Sequence, residues 1–122
     1  MNLRSVLSTL FILPLYAFAG ITGTYEGNGV NRANEPYTST VFISENNETY
    51  DVLWVYPDGS TERGTGVRKD DAFAVVFLSG DSYGIQNYEI CNDRLRGPWI
   101  FYNDTDIGHE TLKKICSSAV LN

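Results

Sequence analysis

The stretch from Thr49 to Leu78, TYDVLWVYPDGSTERGTGVRKDDAFAVVFL, most constrains what this chain can fold into, because three strands and two turns are legible in it. Tyr50, Val52, Trp54 and Tyr56 alternate with Asp51, Leu53 and Val55, which in an extended chain puts a mostly aromatic row on one face. Pro57, Asp58 and Gly59 end that row. Proline presets the turn and donates no ladder bond, Asp bonds its own backbone, and Gly supplies a positive φ, so a tight hairpin is expected at Pro57 to Ser60. The return strand, Thr61 to Arg68, is polar and carries Gly64 and Gly66 on one face. Such a strip without side chains is expected opposite a bulky residue, Trp54 or Tyr50. Lys69, Asp70 and Asp71 form the next turn, and Ala72 to Leu78 is an apolar run of the length of a buried strand.

The same punctuation continues on both sides. Ahead of this stretch, Ile21 to Gly27 and Tyr37 to Ser44 read as strands, separated by a Gly/Asn-rich loop from Asn28 to Pro36. Beyond it, Tyr83 to Cys91 and Arg94 to Tyr102 are strands joined by Asn92 and Asp93, and Asn103 to Asp106 turns the chain again. Gly108 to Ile115 reads either as an eighth strand or as a short helix. Connections this brief make sequence neighbours antiparallel. A long meander without helices hides its edges by closing, so the expected fold is all-β, an eight-stranded antiparallel up-and-down barrel.

Met1 to Ala19 has the form of a secretory signal, with Arg4 in the n-region, an apolar Val6 to Tyr16 and Ala17-Phe18-Ala19 at the cleavage point. Residues 20–122 then form one domain, secreted or periplasmic. Removing the segment takes one cation away from nine Lys plus Arg against fifteen Asp plus Glu, leaving −7. An acidic surface argues against nucleic acid and anionic lipid, which need a basic footprint. The apolar run is also too short and too interrupted for a membrane span. Cys91 and Cys116 both lie in the exported part, where a disulfide is the natural expectation. It would close a loop worth roughly 3 kcal/mol in chain entropy.

Tyr25, Tyr50, Trp54, Tyr88 and Trp99 form the aromatic set that either lines a ligand pocket or fills the barrel, and barrels of this strand number are often solid. Glu110 alternates onto the face of Gly108 and Leu112, so it is expected to point inward and to need Arg63, Arg68 or Arg96 as a partner. His109 has no second histidine or cysteine at ligand spacing, so no metal site and no cofactor are expected. No G-x-S-x-G nucleophile is present. An enzyme would require a polar cluster converging on Glu110 within hydrogen-bond reach.

Gly20-Ile21-Thr22-Gly23-Thr24-Tyr25 and Gly108-His109-Glu110-Thr111-Leu112 resemble the first and last strands of avidin-type barrels in the calycin superfamily, which also holds the lipocalins. Tyr25 stands where avidins carry tryptophan, and Gly27 where they carry a biotin-contacting asparagine, so the resemblance implies the barrel and no biotin site. A second pattern, Tyr50-Val52-Trp54, Gly64-Gly66, Tyr88-Ile90, Leu95-Gly97-Trp99 and Gly108-Glu110-Leu112, resembles a family of small exported bacterial β-barrels of unknown function. It implies a shared fold without an activity. The functional expectation is a binding module and not an enzyme, with a small hydrophobic or amphiphilic ligand held by Tyr25, Tyr50, Trp54, Tyr88, Trp99 and Glu110. The alternative is a protein-binding module, such as an enzyme inhibitor, acting through the turns at Pro57 to Ser60 and Asn103 to Asp106.

Overall fold

A computed structural model describes residues 20–116. The expected signal segment lies outside them. Eight strands follow one another: β1 (Gly23–Val30), β2 (Pro36–Asn46), β3 (Thr49–Val55), β4 (Thr61–Lys69), β5 (Ala72–Ser79), β6 (Ser82–Cys91), β7 (Arg94–Phe101) and β8 (Gly108–Cys116). Each pairs antiparallel with the next, and β8 returns to β1 to close the barrel.

β1 extends to Val30, three residues past the expected end at Gly27. Asn28, Gly29 and Val30 pair with Thr38, Tyr37 and Pro36 on one side and with Thr111, Glu110 and His109 on the other. Two ladders hold in extended form a stretch whose own propensity is poor. The same closure decides the segment from Gly108, which is a strand and not a helix.

Three of the turns, after β2, β4 and β6, lie at one end of the barrel, and a fourth of the same two-residue length, after β5, lies at the other. Each begins with a left-handed residue, Asn47, Asp70, Asn92 or Gly80, with φ between 55° and 59°. Asn, Asp and Gly tolerate that region where other side chains do not. The Pro57 to Ser60 hairpin forms as expected: Gly59 N–H donates to Tyr56 O (2.9 Å), and Asp58 Oδ1 accepts from Ser60 N–H (2.9 Å) and Oγ (2.6 Å).

The end carrying the β2–β3, β4–β5 and β6–β7 turns is filled. Val41, Ile43, Val52, Val75, Leu95 and Leu112 are buried there with Phe73, whose ring stacks on Tyr88 at 6.0 Å and meets the edge of Tyr50 at 5.4 Å. Tyr25 is in this half too, its hydroxyl donating to Ile21 O at 2.6 Å. The glycine strip on β4 has an occupant from the other neighbouring strand. Gly66 is in register with Tyr50, but a Cβ there would lie 2.6 Å from the Phe73 ring. At Gly64 it would lie 2.7 Å from Val75, with Trp54 third in line at 3.1 Å.

The expected Cys91–Cys116 disulfide is absent, and Cys91 carries a free thiol. Register explains the difference. Cys91 pairs with Arg94, Arg94 pairs with Lys113, and Cys116 lies farther along β8. Two interstrand steps of about 4.8 Å already exceed the Cα separation of about 7 Å that a disulfide spans. Reductant should therefore leave the urea unfolding midpoint unchanged, and Cys91→Ser should shift stability by no more than about 0.5 kcal/mol. A loss of about 2–5 kcal/mol on either treatment would mean that the crosslink forms after all.

Candidate ligand cavity

Strand alternation carries a second set of inward side chains toward the opposite end of the barrel. Tyr37 comes from β2, Trp54 from β3, Phe77 from β5 and Trp99 and Phe101 from β7, and with Tyr56 they wall a cavity of about 200 Å³. Glu62 from β4, Gln86 from β6, Glu110 from β8 and Asn31 from the β1–β2 loop complete the lining. The rings support one another edge to face. Phe77 meets Trp54 at 6.0 Å, Trp99 at 6.3 Å and Phe101 at 5.6 Å, and Tyr37 meets Trp99 at 6.4 Å, while Tyr56 is tilted against Tyr37 at 6.2 Å. Such contacts fix ring orientation beyond what burial alone would do. Trp99 lies flat because Gly108 faces it across β7–β8, where a Cβ would fall 2.2 Å from the indole.

Glu110 forms the floor and is only 3% exposed. The Tyr37 hydroxyl donates to Oε1 at 2.8 Å, while Trp54 Nε1–H, at 3.0 Å, and the Tyr88 hydroxyl both donate to Oε2. The expected arginine partner is replaced by three neutral donors. Arg63 is exposed on the outer face, Arg96 lies 3.7 Å from Glu89 there, and Arg68 donates to Asp70 O within its own turn. Burial raises the Glu110 carboxyl pKa above its ordinary value, and the three donated bonds pull it back only in part. Burial, then the adjoining Glu110 charge, raises the Tyr37 and Tyr88 hydroxyls, so both remain protonated donors. The Trp99 indole N–H lies close enough to the Tyr37 hydroxyl to oppose that rise, yet reaches no acceptor at hydrogen-bond geometry.

At the mouth, Tyr56 donates to Glu62 Oε1 at 2.6 Å. Arg32 pairs with Asp104, and its guanidinium carbon sits 5.2 Å from the centroid of Phe101. Backbone N–H groups in the 104–106 turn, Asp106 first, and then Arg32 hold the Asp104 carboxyl below its usual range. Gln86 is fixed by donating from Nε2 to the Gly97 and Pro98 carbonyls, both at 3.1 Å. The turns at Pro57 to Ser60 and Asn103 to Asp106 flank this same end.

Of the six residues expected to bind a ligand, Trp54, Trp99 and Glu110 line the cavity, and Tyr88 lies beneath it, donating to Glu110. Tyr25 and Tyr50 belong to the filled half and do not reach the cavity. The expectation of a solid barrel holds for one half only. Tyr37, Tyr56, Glu62, Phe77, Gln86 and Phe101 were not anticipated. Parity was a usable signal for two of them: Tyr56 continues the Tyr50, Val52, Trp54 row, and Phe101 follows Trp99 on its face.

No protein-family model matches this chain, and no curated protein does. Solved structures do. A redesigned β-barrel is similar with a TM-score of 0.68 at 14% identity, covering 78% of this chain and 91% of that one. A fluorescence-activating β-barrel designed de novo is similar with a TM-score of 0.56 at 16% identity, covering 77% and 93%. At these identities the likeness shows the fold, an eight-stranded closed barrel. Among the described residues no cluster of His, Cys, Asp or Glu is placed to hold a metal ion, and no helix is long and apolar enough to cross a membrane.

Because the folded-state pKa of Glu110 is raised, the native protein binds this proton more tightly than the unfolded chain. The contribution is full below about pH 4.5 and is lost as pH rises through the folded value. Glu110→Gln removes that loss while keeping an oxygen for Trp54 and Tyr88. Urea unfolding from about pH 4 to about pH 7 should show the variant gaining on the native protein as pH rises, and a pH-independent difference would contradict the assignment. Glu110→Leu strands three buried donors at about 1–3 kcal/mol each and should be far less stable than Glu110→Gln at every pH.

Proposed function

We propose that this protein is an exported binding module that holds one small molecule in the aromatic half of its barrel. The observation that carries the reading is the division of the interior. One half is packed with aliphatic and aromatic side chains, while the other keeps about 200 Å³ open behind mutually supported rings and a carboxylate fixed by three donors. Eight-stranded barrels have room for one small ligand, and a few fixed polar groups in an apolar wall set its orientation. The volume lies below the roughly 300–1,000 Å³ of drug-sized sites, so the ligand, or the part of it that enters, is small. A similar barrel is described as fluorescence-activating, so a barrel of this fold has been given a function by design.

A second reading is favoured by the polar cluster that does converge on Glu110. A buried carboxyl with a raised pKa is the usual form of a general acid or base. Yet the Tyr37, Trp54 and Tyr88 hydrogens all point at Glu110 itself, and none is aimed at a site where charge would develop on a substrate. That geometry orients a carboxylate for binding.

Native mass spectrometry of the protein from its own host should reveal a bound small molecule, and its recovery unchanged after incubation separates binding from turnover. Gly108→Ala pushes the Trp99 indole toward the cavity and should weaken that ligand about tenfold or more, read by tryptophan fluorescence. Unaltered affinity in that variant would place the ligand elsewhere on the molecule.

A further inference from the structure

We infer that the cavity recognises an organic cation, a compact ammonium group seated among Tyr37, Trp54, Tyr56 and Trp99 above Glu110. This deepens the small-molecule reading and rests on it.

Charge gives the first argument. Two carboxylates, Glu110 and Glu62, line the cavity, and no Lys, Arg or His joins them. The donors that hold Glu110 are neutral, so they satisfy hydrogen bonds without supplying a countercharge. A carboxylate accepts at about four lone-pair sites and Glu110 has three filled, two of them on Oε2, which leaves an acceptor direction on Oε1 beside Tyr37. An anionic ligand would meet repulsion from both carboxylates, and a neutral apolar one would desolvate Glu110 further with nothing in return.

The walls give the second. Indole and phenol faces attract ammonium and guanidinium groups, most strongly where water is excluded, and a cage of such rings is the known physical solution for alkylated ammonium. This molecule already uses the effect at the mouth, where the Arg32 guanidinium sits 5.2 Å from the centre of Phe101, itself a wall of the cavity. A volume of about 200 Å³ suits an alkylammonium head group better than an extended ligand. The positive centre takes the position among the rings, and its substituents face Phe77.

The test uses the whole exported protein and pairs of probes equal in shape and different in charge: choline with 3,3-dimethylbutan-1-ol, and benzyltrimethylammonium with neopentylbenzene. Tryptophan fluorescence and calorimetry at neutral pH read the affinities. The cation of each pair should bind about tenfold or more tightly than its partner, and Glu110→Gln or Glu62→Gln should narrow that ratio. The pair comparison needs no variant, so it stands even where a substitution unfolds the barrel. If the neutral partners bind as tightly as the cations, the cation assignment is overturned while the small-molecule reading survives. If no probe of either charge binds at millimolar concentration while Glu110→Gln retains the ligand carried from the host, the assignment also falls. If no probe of either charge binds and the protein from its host carries no small molecule, the cation assignment and the small-molecule reading fall together.

Discussion

The pairing of β1 with β8 is the constraint on which the remaining structure depends. Without it, the first and last strands would be exposed edges, and the inward faces of eight strands would have no common centre. With it, a chain of short hairpins encloses one interior. Closure also supplies what local sequence lacks. Asn28, Gly29 and the segment from Gly108 have little preference for extended structure, yet each has a ladder on both sides. It also brings Glu110, on the last strand, beside Tyr37 on the second.

The barrel is asymmetric along its axis, and the asymmetry follows from side-chain placement. At the end with three two-residue turns, aliphatic residues from β2, β3, β5, β7 and β8 are buried together with the Phe73 and Tyr88 stack. Toward the other end six of the ten side chains that line the interior are rings, and rings meeting edge to face leave a gap that branched aliphatics would fill. The three longer connections border that gap, so polar side chains from loops, Asn31 and Arg32 among them, reach its mouth.

Much of this was legible in the chain because period-two alternation and Asn/Asp/Gly turns are local signals. Seven of the strands and the Pro57 to Ser60 hairpin need no knowledge of distant residues, whereas the segment from Gly108 takes its form from the ladders on either side of it. What escaped was non-local. The Cys91–Cys116 pairing failed on register, since two cysteines in a sequence say nothing of the strands between them. Alternation identified Tyr25, Tyr50, Trp54, Tyr88 and Trp99 as inward but not their depth along the axis, which sends the first two to the core and both tryptophans to the cavity. The partners of Glu110 were missed for the same reason: Tyr37, Trp54 and Tyr88 lie 73, 56 and 22 residues away, on three different strands. A buried carboxylate is expected to be balanced by charge, where this one is balanced by hydrogen bonds.

That substitution of hydrogen bonds for charge bears on why an ionisable group is present at all. A barrel that needed only a filled interior has a cheaper solution, and the closed half shows it: Leu112, two residues along β8 on the same face as Glu110, is fully buried among apolar neighbours. Glutamine could accept from Trp54 and Tyr88 and donate to the Tyr37 oxygen with no charge to desolvate. Glutamate carries a desolvation cost in the same position, and three side chains on three strands are committed to reducing it. Local rules for a stable core are broken at this floor position, beside a stretch of interior lined more by rings than by branched aliphatics. A cost that the scaffold does not require marks Glu110 as a departure from plain core packing, and the departure adjoins an open space lined by π faces.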